Sequence, residues 1–255
     1  MKGLDNLARR FLYYPDRLPR DLPPPSWAGN AEEVWMQCAD GVRIHGLWWD
    51  EPAGAPVILF LHGNAQEVYS WSLVRMELEP LGYRTLLIDY HGYGKSEGEP
   101  NEKGLYLDGE AALEWLQGKG VAEGDVVVFG KSLGGAVACE IARDRPLRAL
   151  ILESTFTSLA SVARKLFPFL TRGVPLGERY ASLEKIGRAR CPVLVIHGDR
   201  DELIPVEEGL ELYAAAPEPK ELYLVSGAGH NDVSLVAGEE YTRRIGAFLV
   251  AHTGY

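Results

Sequence analysis

Six short apolar runs pace the chain between residues 56 and 227. They are "PVILFLH" (56–62), "YRTLLIDY" (83–90), "DVVVFG" (125–130), "RALILE" (148–153), "PVLVIHG" (192–198) and "ELYLVSG" (221–227). Each is flanked by turn residues and separated from the next by a helix-like segment. Strands covered on both faces read as continuous apolar runs, and strands that alternate with helices build a parallel sheet. Two earlier runs, "EEVWMQCA" and "VRIHGLWWD", alternate apolar with polar residues and flank Asp40-Gly41, a strong hairpin signal. The sequence therefore predicts an α/β fold: an eight-stranded, mostly parallel sheet with helices on both faces and an antiparallel first hairpin. Helices are expected over 66–79, 104–118, 133–144, 206–216 and 235–251.

At 255 residues the chain suits one α/β domain. Residues 1–31, rich in proline from 15 on, read as an N-terminal arm, and 32–255 as a single domain. The link from Ser154 to Cys191 is 38 residues long, more than a simple crossover needs. Two readings stand: a crossover helix with a small lid over 154–191, or two ordinary crossover helices. The net charge of −10 with scattered Lys and Arg repels phosphate backbones, so no nucleic-acid partner is expected. Cys38, Cys139 and Cys191 are too few and too widely spaced for a disulfide framework or a metal-ligand pattern, and imply a reducing, cytoplasmic setting. No run approaches the roughly 18 apolar residues of a membrane span, and the N-terminus lacks the apolar centre of a signal peptide. Leu4, Leu7, Ala8, Phe11 and Leu12 fit a short amphipathic helix. Docking on the protein itself is the preferred reading, with peripheral membrane contact through residues 4–12 as the alternative.

Ligands bind outside the carboxyl ends of the strands of such a sheet. After the fifth strand comes Gly130-Lys131-Ser132-Leu133-Gly134, which fits G-x-S-x-G. The pattern alone is common; a preceding strand and a following small-residue helix give it meaning. Glycines two residues either side leave room for a cramped turn that presents the Ser132 hydroxyl above the sheet at a helix N-terminus. A serine hydroxyl needs a base. Of six histidines, His230 in "SGAGHND" follows the eighth strand in a glycine-rich loop and is the expected base. His62 and His197 are expected to fix local turns, and His45, His91 and His252 are poorly placed by chain order. The base needs a carboxylate. Asp201 in "HGDRDELIP" is the choice over Asp199, with Glu202 facing solvent and Glu153 a weaker alternative. Oxyanion donors are expected from the Leu133 backbone N–H and from the "HGNAQE" loop, with Asn64 first and Ala65 next.

These residues resemble the α/β-hydrolase superfamily from about Val34 on. "LFLHGNA", "LLIDYHGYGKSEGEPNEKGLYLDGEAALEWL", "GKSLGG", "ESTFTSL", "HGDRDELIP" and "GAGHND" together resemble small serine hydrolases that include membrane-associated eukaryotic acyl-protein depalmitoylases and bacterial esterases. The resemblance implies Ser132 as nucleophile, Asp201 as acid, His230 as base, and Asn64 with Leu133 as oxyanion donors. Members often carry a membrane-spanning helix ahead of an "RFLYYP"-like segment. The stretch ahead of it here is too short for one, which leaves a soluble protein or an anchor outside this sequence as the two expectations. The function expected is hydrolysis of a small-molecule carboxylic ester through an acyl-enzyme, with no cofactor and no metal. Acyl thioesters or amides on the same triad are the alternative, and a non-catalytic hydrolase-like binding protein is the least favoured.

Overall fold

A computed structural model describes residues 13–172 and 179–255. The expected amphipathic segment at 4–12 lies outside the described residues, as does part of the 154–191 link. The chain forms two compact units, residues 1–122 and 123–255.

In the first unit, β1 (Glu32–Gln37) and β2 (Arg43–Trp49) form the predicted antiparallel hairpin. Gly41 takes a positive φ of 88° in the turn, and the Cys38 N–H closes it on the Val42 carbonyl at 2.8 Å. Val34 and Met36 point into the core while Trp35 and Gln37 point out, the period of two that the sequence carries. β3 (Val57–Leu61) and β4 (Arg84–Ile88) are parallel, and β4 also pairs antiparallel with β2. β3 is buried along its whole length. Helix α1 (Glu102–Gly118) starts where Asn101 Oδ1 accepts the Gly104 N–H at 3.0 Å.

The helix expected over 66–79 is instead two short helices, Val68–Trp71 and Val74–Leu78, with a 3-10 turn at Glu79–Leu81. The Ser72 hydroxyl donates to the Tyr69 carbonyl at 2.6 Å, and the next N–H groups reach back three residues rather than four. A serine that bonds its own helix backbone in this way competes with the α-helical ladder. The arm before β1 makes a two-residue parallel bridge, Tyr14–Pro15 with Ala65–Gln66.

The second unit holds β5 (Val126–Lys131), β6 (Ala149–Glu153), β7 (Val193–Gly198) and β8 (Lys220–Val225), all parallel and hydrogen-bonded in that order. β6 and β7 are buried throughout, and β5 up to Lys131. β8 departs from the expectation of full burial: Leu224 is 42% exposed. It is the last strand of the order, and among the described residues it pairs only with β7, so one side of it has no described strand beside it. Between the strands run α2 (Leu133–Ala142), α3 (Leu159–Leu166) and α4 (Val206–Ala215). The described part of the long link carries α3 and two shorter helices, Pro168–Thr171 and Ser182–Ile186. The last expected helix is broken at Gly238 (φ 56°) into Val233–Ala237 and α5 (Glu239–Thr253).

The fold class is thus the expected one: eight strands, mostly parallel, alternating with helices after an antiparallel first pair. Among the described residues no helix is long and apolar enough to cross a membrane.

Candidate active site

β5 delivers the backbone to Ser132 in a conformation that L-residues avoid, φ 53° and ψ −118°. Such a residue costs on the order of 1–3 kcal/mol and persists only where its surroundings impose it. Here they do. The Ser132 N–H donates to the Glu153 carbonyl at 2.8 Å, and the Ser132 carbonyl accepts from Thr155 Oγ1 at 2.7 Å and from the Gly135 N–H at 3.0 Å. The bend is tight enough that a Cβ on Gly130 would lie 2.4 Å from the Gly134 carbonyl oxygen and 2.6 Å from Gly135 Cα. A Cβ on Gly135 would lie 2.4 Å from Thr155 Cβ. Bare glycines at 130 and 135 are therefore packing requirements of this turn.

His230 sits in the loop after β8. Asp232 Oδ1 accepts the Gly229 N–H at 2.7 Å and shapes that loop. The loop after β7 is stitched to it: Arg200 N–H donates to the Ala228 carbonyl at 2.9 Å, and Asp199 accepts from the Gly227 N–H at 2.6 Å and the Ser226 hydroxyl at 3.0 Å. Asp199 is exposed, and these two bonds hold its carboxyl below the usual range.

Ser132, His230 and Asp201 meet in this unit. His230 Nε2 lies 3.0 Å from Ser132 Oγ, and His230 Nδ1 lies 2.7 Å from Asp201 Oδ2. With Nδ1–H donating to the carboxylate, Nε2 presents its lone pair to the serine hydroxyl. Asp201 is buried, 7% exposed, and its Oδ1 accepts the N–H groups of Leu203 at 2.9 Å and Ile204 at 2.7 Å. Burial pushes its carboxyl up, but hydrogen bonds from His197, His230 and the Ile204 N–H outweigh burial and hold it well below the usual carboxylate range. Of the carboxylates weighed in the sequence, Asp201 is the one in contact with His230. Asp199 braces the neighbouring turn, Glu202 is exposed, and Glu153 is fully buried against Lys131 Nζ (2.6 Å from Oε1) and the Tyr241 hydroxyl.

Leu133 follows Ser132 as the first residue of α2, so its N–H belongs to the unpaired first turn of that helix. Asn64 lies in the first unit, where the Tyr93 hydroxyl donates to both its backbone carbonyl (3.0 Å) and its Oδ1 (2.9 Å). Ala65 takes part in the short bridge with Tyr14. The remaining histidines have other partners. His62 Nδ1–H donates to the Gly63 carbonyl at 2.8 Å, His45 lies between Glu33 and Asp89, and His252 contacts Glu221. His91 lies between Asp108 and Asp40, and its neighbour Cys38 donates to Asp108 at 3.3 Å. Cys38, His91 and Asp108 form the one group of potential metal ligands found among the described residues. Cys38 Sγ and His91 Nδ1 both hydrogen-bond Asp108 Oδ1, the latter at 2.5 Å. Cys139, expected in the core, is fully buried, which pushes its thiol up to about 12.

Sequence reading did not anticipate Thr155 or the Lys131–Glu153–Tyr241 cluster beneath the turn. Thr155 has a faint signal, a hydroxyl two residues past the end of β6. The cluster has none, because Tyr241 comes from α5, far along the chain.

The family profile described as alpha/beta hydrolase fold matches residues 56–179. Rv2307c, an uncharacterized protein of Mycobacterium tuberculosis, is 39% identical over 245 residues, covering 94% of this chain and 86% of its own. The alpha/beta hydrolase domain-containing protein WAV2 of Arabidopsis thaliana is 35% identical over 241 residues, covering 86% of this chain and 78% of its own. Among solved structures, the Pyrococcus furiosus esterase Pf2001 superposes with a TM-score of 0.75 at 25% identity, covering 94% of this chain and all of that one.

Proposed function

Because the chain belongs to the α/β-hydrolase fold family, we propose that it is a serine hydrolase that cleaves carboxylic esters through Ser132, His230 and Asp201. The observation that carries this reading is the unbroken contact line from Ser132 Oγ through the His230 ring to Asp201 Oδ2. Its likeness to the Pyrococcus furiosus esterase Pf2001 supports the same class.

Ser132 Oγ attacks the ester carbonyl as His230 Nε2 takes its proton. The imidazolium that forms is stabilised by Asp201, already ionised and bonded to Nδ1. Negative charge that develops on the carbonyl oxygen is met by the Leu133 N–H at the positive end of α2. One such donor is worth about 10²–10³ in rate. His230 then protonates the departing alkoxide, and the acyl group stays on Ser132. Water enters, loses a proton to His230, attacks the acyl carbonyl, and releases the acid as Ser132 recovers its proton. Every proton moves between groups of this chain, substrate and water.

Hydrolysis of p-nitrophenyl acetate and butyrate by the wild type and by Ser132→Ala, with circular dichroism as a check on folding, tests the reading. Turnover that disappears in a folded Ser132→Ala variant is the expected result. Turnover retained by that variant assigns the chemistry elsewhere. Matched ester, thioester and anilide substrates then rank the leaving groups.

A further inference from the structure

Asp201 carries a second imidazole that the proposed chemistry does not use. His197, in β7, is fully buried. Its Nε2 lies 2.9 Å from the Ile204 carbonyl oxygen and 3.4 Å from Asp201 Oδ2, the same oxygen that His230 Nδ1 meets at 2.7 Å. A carbonyl oxygen only accepts, so Nε2 carries the proton. His197 Nδ1 is buried without a hydrogen-bond partner among the described residues. A proton there would be a buried donor with no acceptor, so the ring is the neutral Nε2–H form.

That single N–H faces two acceptors. The bond to Ile204 is the short arm of a three-centre arrangement and the approach to Asp201 the long one. Ile204 returns the contact, since its own N–H donates to Asp201 Oδ1. The ring is also held from behind. A Cβ on Gly209, in α4, would lie 2.5 Å from His197 Nδ1 and 3.1 Å from Cγ. The bare glycine lets the helix sit against that edge and leaves the Nε2 edge turned to the Asp201 loop.

Resting on the assignment of Asp201 to the triad, we infer that His197 is a positioning residue for that carboxylate, its Nε2–H tying Asp201 Oδ2 to the Ile204 carbonyl so that Oδ2 stays aimed at His230. Asp201 is then gripped on both oxygens, by backbone N–H groups on Oδ1 and by two imidazoles on Oδ2. A carboxylate fixed in this way needs no reorganisation when the imidazolium forms beside it, which is where preorganised groups lower a barrier. The direction of the Asp201 carboxyl agrees: after burial, which pushes it up, the His197 bond is the foremost influence holding it down.

Two substitutions separate hydrogen bonding from bulk. His197→Gln places an amide N–H at about the reach of Nε2, whereas His197→Phe keeps a ring and removes the donor. Two readouts are taken: kcat and KM for p-nitrophenyl acetate, and the hydrogen-bonded Nδ1–H proton signal of His230 in ¹H–¹⁵N NMR, which needs no turnover. In His197→Phe, kcat is expected to fall about 10–100-fold, the range of a hydrogen bond to a charged group. KM should stay within about twofold, as for an interaction realised in the transition state. The His230 signal should broaden in the same variant. His197→Gln should keep most of the activity and a sharp signal. Equal losses in both variants, or an unchanged His230 signal in His197→Phe, overturn the inference. A purely structural role for His197 lowers the melting temperature without touching that signal. Failure of the hydrolase reading shows separately, as turnover that survives Ser132→Ala.

Discussion

Ser132 is the residue at which backbone geometry and chemistry meet. Its positive φ is imposed by bonds from Thr155 and Gly135 and by its own N–H bond to the Glu153 carbonyl, so the strain belongs to the position and not to the hydroxyl. Glycine adopts such a φ at no steric cost. Ser132→Gly is therefore expected to be about 1–2 kcal/mol more stable than Ser132→Ala in urea titrations, with both inactive. Asp201 yields two expectations. Asp201→Asn keeps the shape but offers Nδ1 the wrong partner, and kcat should drop by about 10⁴ with the protein still folded. The Asp201 carboxyl lies well below its ordinary value of 3.8 in the folded protein. Its ionised form therefore adds stability above pH 3.8, and that contribution is lost as pH falls through the folded value. Denaturation curves should show the wild type losing its advantage over Asp201→Asn as the pH is lowered below 3.8.

At the scale of elements, the turn between β5 and α2 depends on absent side chains. Gly130→Ala drives a methyl into the Gly134 carbonyl and Gly135 backbone, and should cost about 1–3 kcal/mol in chemical denaturation and most of the activity. A second joint lies at Glu208 on α4. Its carboxylate, fully buried, accepts the Thr157 N–H at 2.7 Å and the hydroxyls of Thr157 and Ser161 at 2.6 Å, and pairs with Lys165 at 2.8 Å. Glu208→Ala leaves the Thr157 N–H without its acceptor, and hydrogen exchange over 157–166 should accelerate while exchange in β5 and β6 does not change. These joints mark how far the sequence was legible. The strands were readable because burial on both faces keeps "VLVI" and "ALIL" apolar, with polar residues only at the strand ends. Ser132, Asp201 and His230 were readable because each follows a strand end, where a parallel sheet concentrates chemistry. The break at Ser72 was not, since a hydroxyl that bonds its own helix looks like any polar helix residue. Neither was the Leu224 exposure, because an edge strand of the sheet carries the same apolar letters as a covered one. The contact of His197 with Asp201 was hidden for a third reason: a loop folds back on its own strand, and no spacing rule announces it.

For the whole molecule, the excess of acidic over basic residues sets the long-range field. With a net charge of −10, an ester bearing a carboxylate should be repelled on approach, and a neutral ester of the same size should not. Raising ionic strength from about 0.01 M to 0.15 M shortens the screening length from about 30 to 8 Å. It should raise kcat/KM for the anionic ester and leave the neutral one unchanged in steady-state assays. The proposed chemistry rests on one oxygen atom, Ser132 Oγ, in contact with a ring and, through it, a carboxylate from distant parts of the chain. The most direct measurement is mass spectrometry of the folded protein after exposure to a fluorophosphonate. A phosphonyl adduct is expected on the peptide that carries Ser132, absent in Ser132→Ala and slow to form in His230→Ala. A folded wild type that stays unlabelled, or labelling that persists in Ser132→Ala, would contradict the proposed chemistry.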